Sequence, residues 1–151
     1  FIARRMLILA SEDIGNADPN ALLMATTAMQ AAQMIGWPES RIVLSQCAVY
    51  LACAPKSNAS YLAIGEAQQV VKSTGDLAVP IHLRNAPTKL MKDLGHGKDY
   101  QYSHDAPGHF SDQEFLPGEL SGKAFYRPGD NRREQAFAAY LQQVWGDKYN
   151  K

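Results

Sequence analysis

Residues 38–55 read PESRIVLSQCAVYLACAP, and the fold turns on this stretch. Pro38 suits the first turn of a helix, where its missing N–H would have been unpaired anyway, and Pro55 cannot continue one. From Ile42 to Ala54 apolar residues fall on nearly every side of the intervening helix, which places it at the centre of a bundle. Cys47, Ala48, Ala52 and Cys53 are small enough for close helix packing, within a subunit or between subunits. The two cysteines stand six residues apart, roughly 9 Å along a helix, which is too far for a disulfide. Reduced thiols without an extracellular cysteine framework point to a cytoplasmic setting.

Helices are expected on both sides of this segment. Upstream, Ile2, Met6 and Leu9 recur at helical spacing in a segment ending near Ile14-Gly15. Asp18-Pro19 then starts a second helix, with Leu22, Ala25, Met29 and Ala32 on one face and Gly36 as its stop. Downstream, Ser57 or Asn58 caps a fourth helix carrying Tyr61, Ile64, Ala67 and Val71 on one side, with Gly75-Asp76 as its exit. Asn85-Ala86-Pro87 opens a fifth, short helix ending at Gly95. The pattern over 1–95 is a mainly α helical bundle with short connections.

Over 96–130 the composition changes. Glycine and proline alternate with Tyr100, Tyr102, Phe110, Phe115, Phe125 and Tyr126, which rules out a regular helix and argues against disorder. An ordered, irregular arm is expected, with room for a small hairpin. A last helix over 131–146, capped by Asp130 or Asn131, shows Phe137, Leu141 and Val144 on one face. Residues 1–151 are expected to form one domain, since 151 residues can bury a single sizeable core. The chain opens on Phe1 rather than Met, as expected of a piece of a longer polypeptide.

Lys+Arg and Asp+Glu are both 15, so no global field announces a nucleic-acid or membrane partner, and no apolar run approaches a membrane span. A DNA contact would need a local patch. Arg84, Lys89, Lys92 and Lys98 form one candidate: the middle two lie one turn apart on the fifth helix, although Asp93 and Asp99 interrupt the strip. Gly95-His96-Gly97-Lys98 looks like the tail of a phosphate loop but departs from the motif, because Asp99 stands where a hydroxyl should meet magnesium. His82, His96, His104 and His109, with Asp99, Asp105 and Asp112, match no metal-ligand spacing and read as structural histidines of the arm. Ser103-His104-Asp105 is contiguous, whereas a triad converges from separate elements. No catalytic, cofactor or metal ligand is therefore assigned.

Long strings carry a more specific signal. Ala3-Arg4-Arg5 running into ASEDIGNADP, then GWPESRI, LACAPKSNASYLAI, VPIHLRNAPTKLMKDLGHGKDYQYSHDAPGHF and QEFLPGELSGKAFYRP, resemble the C-terminal domain of the replication-associated recombination protein A family. These are the maintenance-of-genome-stability ATPases, which include the Werner-helicase-interacting ATPase. The resemblance implies a clamp-loader-collar-like bundle that assembles subunits into a homotetramer. It implies a parent protein with an N-terminal AAA+ module, absent here, that binds ATP and Mg and acts with DNA and replication proteins at stalled forks. None of the family's nucleotide-handling residues has a matching position in this chain, so the chain itself is expected not to be an enzyme. Two other readings remain beside the oligomerisation collar: a DNA-binding module using the four basic residues, and a small enzyme built on the histidine-rich arm with His104 or Asp105 as acid-base group.

Overall fold

A computed structural model describes residues 1–149, and every regular element among them is helical. Six α-helices follow one another: α1 (Ile2–Leu9), α2 (Asn20–Ile35), α3 (Ser40–Cys53), α4 (Ala59–Thr74), α5 (Lys89–Asp93) and α6 (Arg132–Trp145). The mainly α bundle expected from the sequence is what forms. The chain divides into two compact units, one made of 1–69 and 125–140, the other of 70–124 and 141–151.

In the first unit, α1 runs directly into a π turn at Ala10–Ile14, followed by a 3-10 turn at Gly15–Ala17. The wider turn carries Ala10 and Ile14 into the core, where both are buried. Asp18 starts α2: its Oδ1 accepts from the Asn20 N–H at 3.1 Å, and its Oδ2 accepts from the Tyr50 hydroxyl at 2.7 Å, which ties the cap to α3. Gly36 ends α2 at φ 68°, a conformation glycine adopts without steric cost.

The core is Ala10, Ile14, Ala21, Ala25, Ala28, Cys47 and Leu51. Two expectations about faces need correction here. The buried face of α2 is Ala21, Ala25 and Ala28, with Leu22 exposed, because alanines let helix axes approach closely where a leucine would hold them apart. The third helix is not central: α3 buries only Ser40, Cys47 and Leu51 and leaves Ile42 and Val49 in solvent. Its all-round apolar pattern therefore reports an uncovered face. On α4 the predicted side of Tyr61, Ile64 and Val71 exists but is likewise exposed.

In the second unit, α5 is capped by Thr88, whose hydroxyl accepts from the Met91 N–H at 3.3 Å. The arm turns through 3-10 segments at Ser103–Asp105, Pro107–His109 and Gly118–Leu120, and no strand forms among the described residues. A hairpin-like reversal is closed instead by a side chain: Gln113 Nε2 donates to the Gln101 carbonyl at 2.7 Å, and its Oε1 accepts the Gln101 N–H at 3.3 Å. The Gln113 amide thus stands in for a strand's peptide group. Trp145 gathers the aromatics, with Phe110, Phe115 and Tyr149 set edge-on at 4.7, 6.2 and 5.0 Å, a geometry that aligns ring quadrupoles favourably.

Candidate functional site

The basic strip is only partly assembled. Arg84 is half-buried, and its Nε donates to the Val79 carbonyl at 2.7 Å, so its guanidinium is engaged in local structure. The Gly97 N–H donates to the Ile81 carbonyl at 2.9 Å. A side chain on Gly97 would begin 3.4 Å from the Arg84 carbonyl oxygen, so the segment leading to Lys98 lies against the Arg84 backbone. Lys89 and Lys92 share α5, and both are exposed, as is Lys98. No ion pair of these three lysines occurs among the described residues.

The glycines of the phosphate-loop-like segment end a helix. Gly95 and Gly97 have φ of 81° and 71°; the Gly95 N–H bonds the Lys92 carbonyl at 2.9 Å, and the His96 N–H bonds that of Met91 at 3.0 Å. A phosphate cradle needs converging N–H groups, whereas Gly97 faces a carbonyl oxygen, so these residues do not fit a nucleotide phosphate. The histidines of the arm are likewise spread out. His82 Nε2 lies 2.8 Å from the Glu114 carbonyl, and His104 is flanked by Tyr102 and His109 at 5.2 Å each. No group of three His, Cys, Asp or Glu side chains positioned for a metal ion occurs among the described residues.

What the sequence reading missed is a polar knot in the first unit. Glu134, in the first turn of α6, is fully buried. Its carboxylate accepts from the Tyr126 hydroxyl at 2.5 Å, from Asn131 Nδ2 at 2.5 Å, from the Gly129 N–H at 3.3 Å, and from the Ser57 hydroxyl. Burial pushes the Glu134 carboxyl up, but these donors outweigh it and hold the group below the usual carboxylate range. Asn131 accepts the Glu134 N–H in return at 3.0 Å, a reciprocal helix cap. The visible signal was Asn131-x-x-Glu134, the spacing of a capping box.

The knot reaches three distant strings. Asn16 donates to Ser60 at 3.0 Å and to the Tyr126 hydroxyl at 3.3 Å. The Ser57 N–H donates to the Asp13 carbonyl at 2.8 Å, and Arg127 pairs with Glu66 at 2.8 Å. Segments 13–16, 57–66 and 126–134 are thereby fastened together. The arrangement satisfies its own donors and acceptors, with no side-chain polar atom buried and unpartnered among the described residues, so it acts as a brace.

Outside the knot, much of the first unit's surface is apolar. Phe1, Leu23, Met34, Trp37, Ile42, Val49, Tyr61 and Ile64 are exposed. Among the described residues no helix is long and apolar enough to cross a membrane.

Comparison with known proteins identifies the lineage. Over 129 residues the chain is 50% identical to replication-associated recombination protein A of Coxiella burnetii, covering 85% of this chain and 29% of that protein. The protein of the same name from Escherichia coli K12 is 45% identical over 129 residues, with the same shares covered. ATPase WRNIP1 of Dictyostelium discoideum is 45% identical over 131 residues, 83% of this chain and 14% of that protein. The chain thus spans less than a third of the length of these relatives. A family model described as MgsA AAA+ ATPase C terminal matches residues 1–145, and the chain therefore belongs to the MgsA AAA+ ATPase C-terminal family.

Proposed function

We propose that this chain is the self-association domain, tetramer-forming, of a DNA-dependent AAA+ ATPase that acts in DNA replication, recombination and repair at stalled forks. The observation that carries the reading is the uncovered apolar surface of the first unit, where large side chains of α2, α3 and α4 stand in solvent. Monomeric proteins rarely leave extended apolar surface open, and burying it against copies of the same chain is the usual route to a closed assembly. The names of the relatives support the DNA context, replication-associated recombination protein A above all. ATP and magnesium belong, in this reading, to an AAA+ module outside these residues; replication proteins are further partners, and the setting is cytoplasmic.

Light scattering on the purified chain tests the proposal. A mass of four chains is expected, and a monomer across the micromolar range overturns it. A second reading, direct DNA contact, is favoured by the exposed Lys89, Lys92 and Lys98, which form no ion pair among the described residues. The two are compatible, since the lysines lie on the second unit and the apolar faces on the first.

A further inference from the structure

The turn joining α2 to α3 carries an apolar knob. Trp37 in that turn is 72% exposed and Met34, in the last turn of α2, 85%, and Glu39 follows Trp37 in the turn, also exposed. Tryptophan is among the residues that most often anchor interfaces, because a large rigid ring buries much area for little lost freedom. Left in water, such a ring is an uncovered liability.

The same unit carries an apolar groove between α1 and the C-terminal half of α3. It holds about 360 Å³ and has Met6, Leu9, Ala48, Leu51 and Ala52 in its lining, within the range of roughly 300–1,000 Å³ typical of pockets that take drug-sized molecules. An indole is smaller than that. Two cations stand among the lining residues, Arg5 and Lys56, both exposed. Lys56 donates to the Leu51 and Ala54 carbonyls at 2.9 and 2.5 Å, which fixes its ammonium beside the groove.

Knob and groove are both apolar and opposite in flanking charge, Glu39 beside the ring and Arg5 with Lys56 beside the cavity. They lie at opposite ends of α3: the knob precedes Ser40, and Ala52 is near the last turn, roughly 18 Å further along at 1.5 Å per residue. A rigid helix separates them, so a chain cannot fill its own groove with its own knob. We infer that Trp37 of one copy seats in the α1–α3 groove of the next, with Glu39 facing Arg5 and Lys56. The contact is head-to-tail, and its repetition closes a ring when the rotation between copies permits. This inference rests on the self-association reading and names its interface.

Trp37→Glu removes the knob, and Ala52→Glu places an acid in the groove that also repels Glu39. Both positions are exposed, so far-UV circular dichroism should match the parent chain. Each variant alone should fall to a lower mass by light scattering, with association weakened at least ~30-fold, as loss of an aromatic anchor typically does. Mixed in equal amounts, they should recover mass as one-to-one pairs, because the first keeps an intact groove and the second an intact knob. If either variant keeps the parent assembly, or the mixture gains no mass over its components, the interface is elsewhere while self-association stands. A monomeric parent chain overturns both.

Discussion

A side-chain carbon placed on Gly129 would begin 2.8 Å from the Glu134 carboxylate oxygen Oε2. That oxygen is the end of a side chain, but it cannot swing away, because Asn131 and the Gly129 N–H both donate to it and Tyr126 holds the other oxygen. Gly129→Ala should therefore destabilise the chain by about 1–3 kcal/mol, the range of overpacking in a rigid site, read as a lowered urea midpoint at unchanged slope.

Acid sensitivity follows from the same carboxylate. A group whose folded pKa is depressed contributes stability that is present above its unfolded value, about 4.3 for glutamate, and is lost as pH falls through that value toward the folded one. Glu134 is such a group. Glu114 is another: burial raises it, while the Ser121 hydroxyl, the Leu116 N–H, Lys148 and the Phe115 N–H together bring it down. Glu134→Gln should cost about 1–3 kcal/mol at pH 7, as expected when a buried network loses a matched acceptor. It should also flatten, without abolishing, the fall in stability between about pH 5 and pH 3. Urea titrations of both proteins across that range check the point; equal slopes would show that the fold does not depress the Glu134 carboxyl.

Gly15 offers a backbone test. Its φ is 50°, and a Cβ there would meet the Ser57 carbonyl oxygen at 2.9 Å, a clash between two backbones that neither can relieve by rotating a side chain. Gly15→Ala should destabilise by more than about 1 kcal/mol. Exchange of the Ser57 amide, which bonds the Asp13 carbonyl, should quicken ahead of the core amides.

The two thiols should separate cleanly. Cys53 is exposed, whereas Cys47 is buried and its thiol is pushed up by burial. A chromogenic disulfide reagent should titrate one thiol per chain at pH 8 in the native protein and two in denaturant. Two fast thiols in the native chain would show that the alanine face of α2 does not cover Cys47.

If the second unit meets DNA, Lys89→Glu with Lys92→Glu should weaken binding uniformly across sequences. The dependence of log affinity on log salt should become shallower by about 2, since two phosphates would no longer be neutralised. Fluorescence anisotropy with an unspecific duplex reads both, and an unchanged slope removes these lysines from any interface.

Helix positions are legible in the sequence because proline and glycine punctuate the chain: Gly36, Pro55, Gly75 and Gly95 stand just past the helix ends assigned to them, whereas Pro38, read as opening the third helix, lies in the turn before it and α3 begins at Ser40. Which faces pack is less legible. Ile42 and Val49 look like core residues in a single sequence, since periodicity reports apolar character and cannot say whether a cover belongs to the same chain. On α2 the buried face is made of alanines, the weakest apolar signal, and Leu22 misleads for that reason. The knot around Glu134 is nearly invisible because its partners come from residues 57, 126 and 131, and only the short-range Asn131-x-x-Glu134 part leaves a local trace. Arg84 reads as a surface charge, yet its bond to Val79 is an accident of the loop's path that composition cannot encode.

The first unit is discontinuous: its chain departs at Gln69 and comes back at Phe125. A ribosome making this polypeptide releases Asn16, Ser57 and Ser60 long before Tyr126 and Glu134 exist to answer them. Until residue 134 clears the exit tunnel these side chains wait without the partners that complete the unit, although the core from Ala10 to Leu51 is already made.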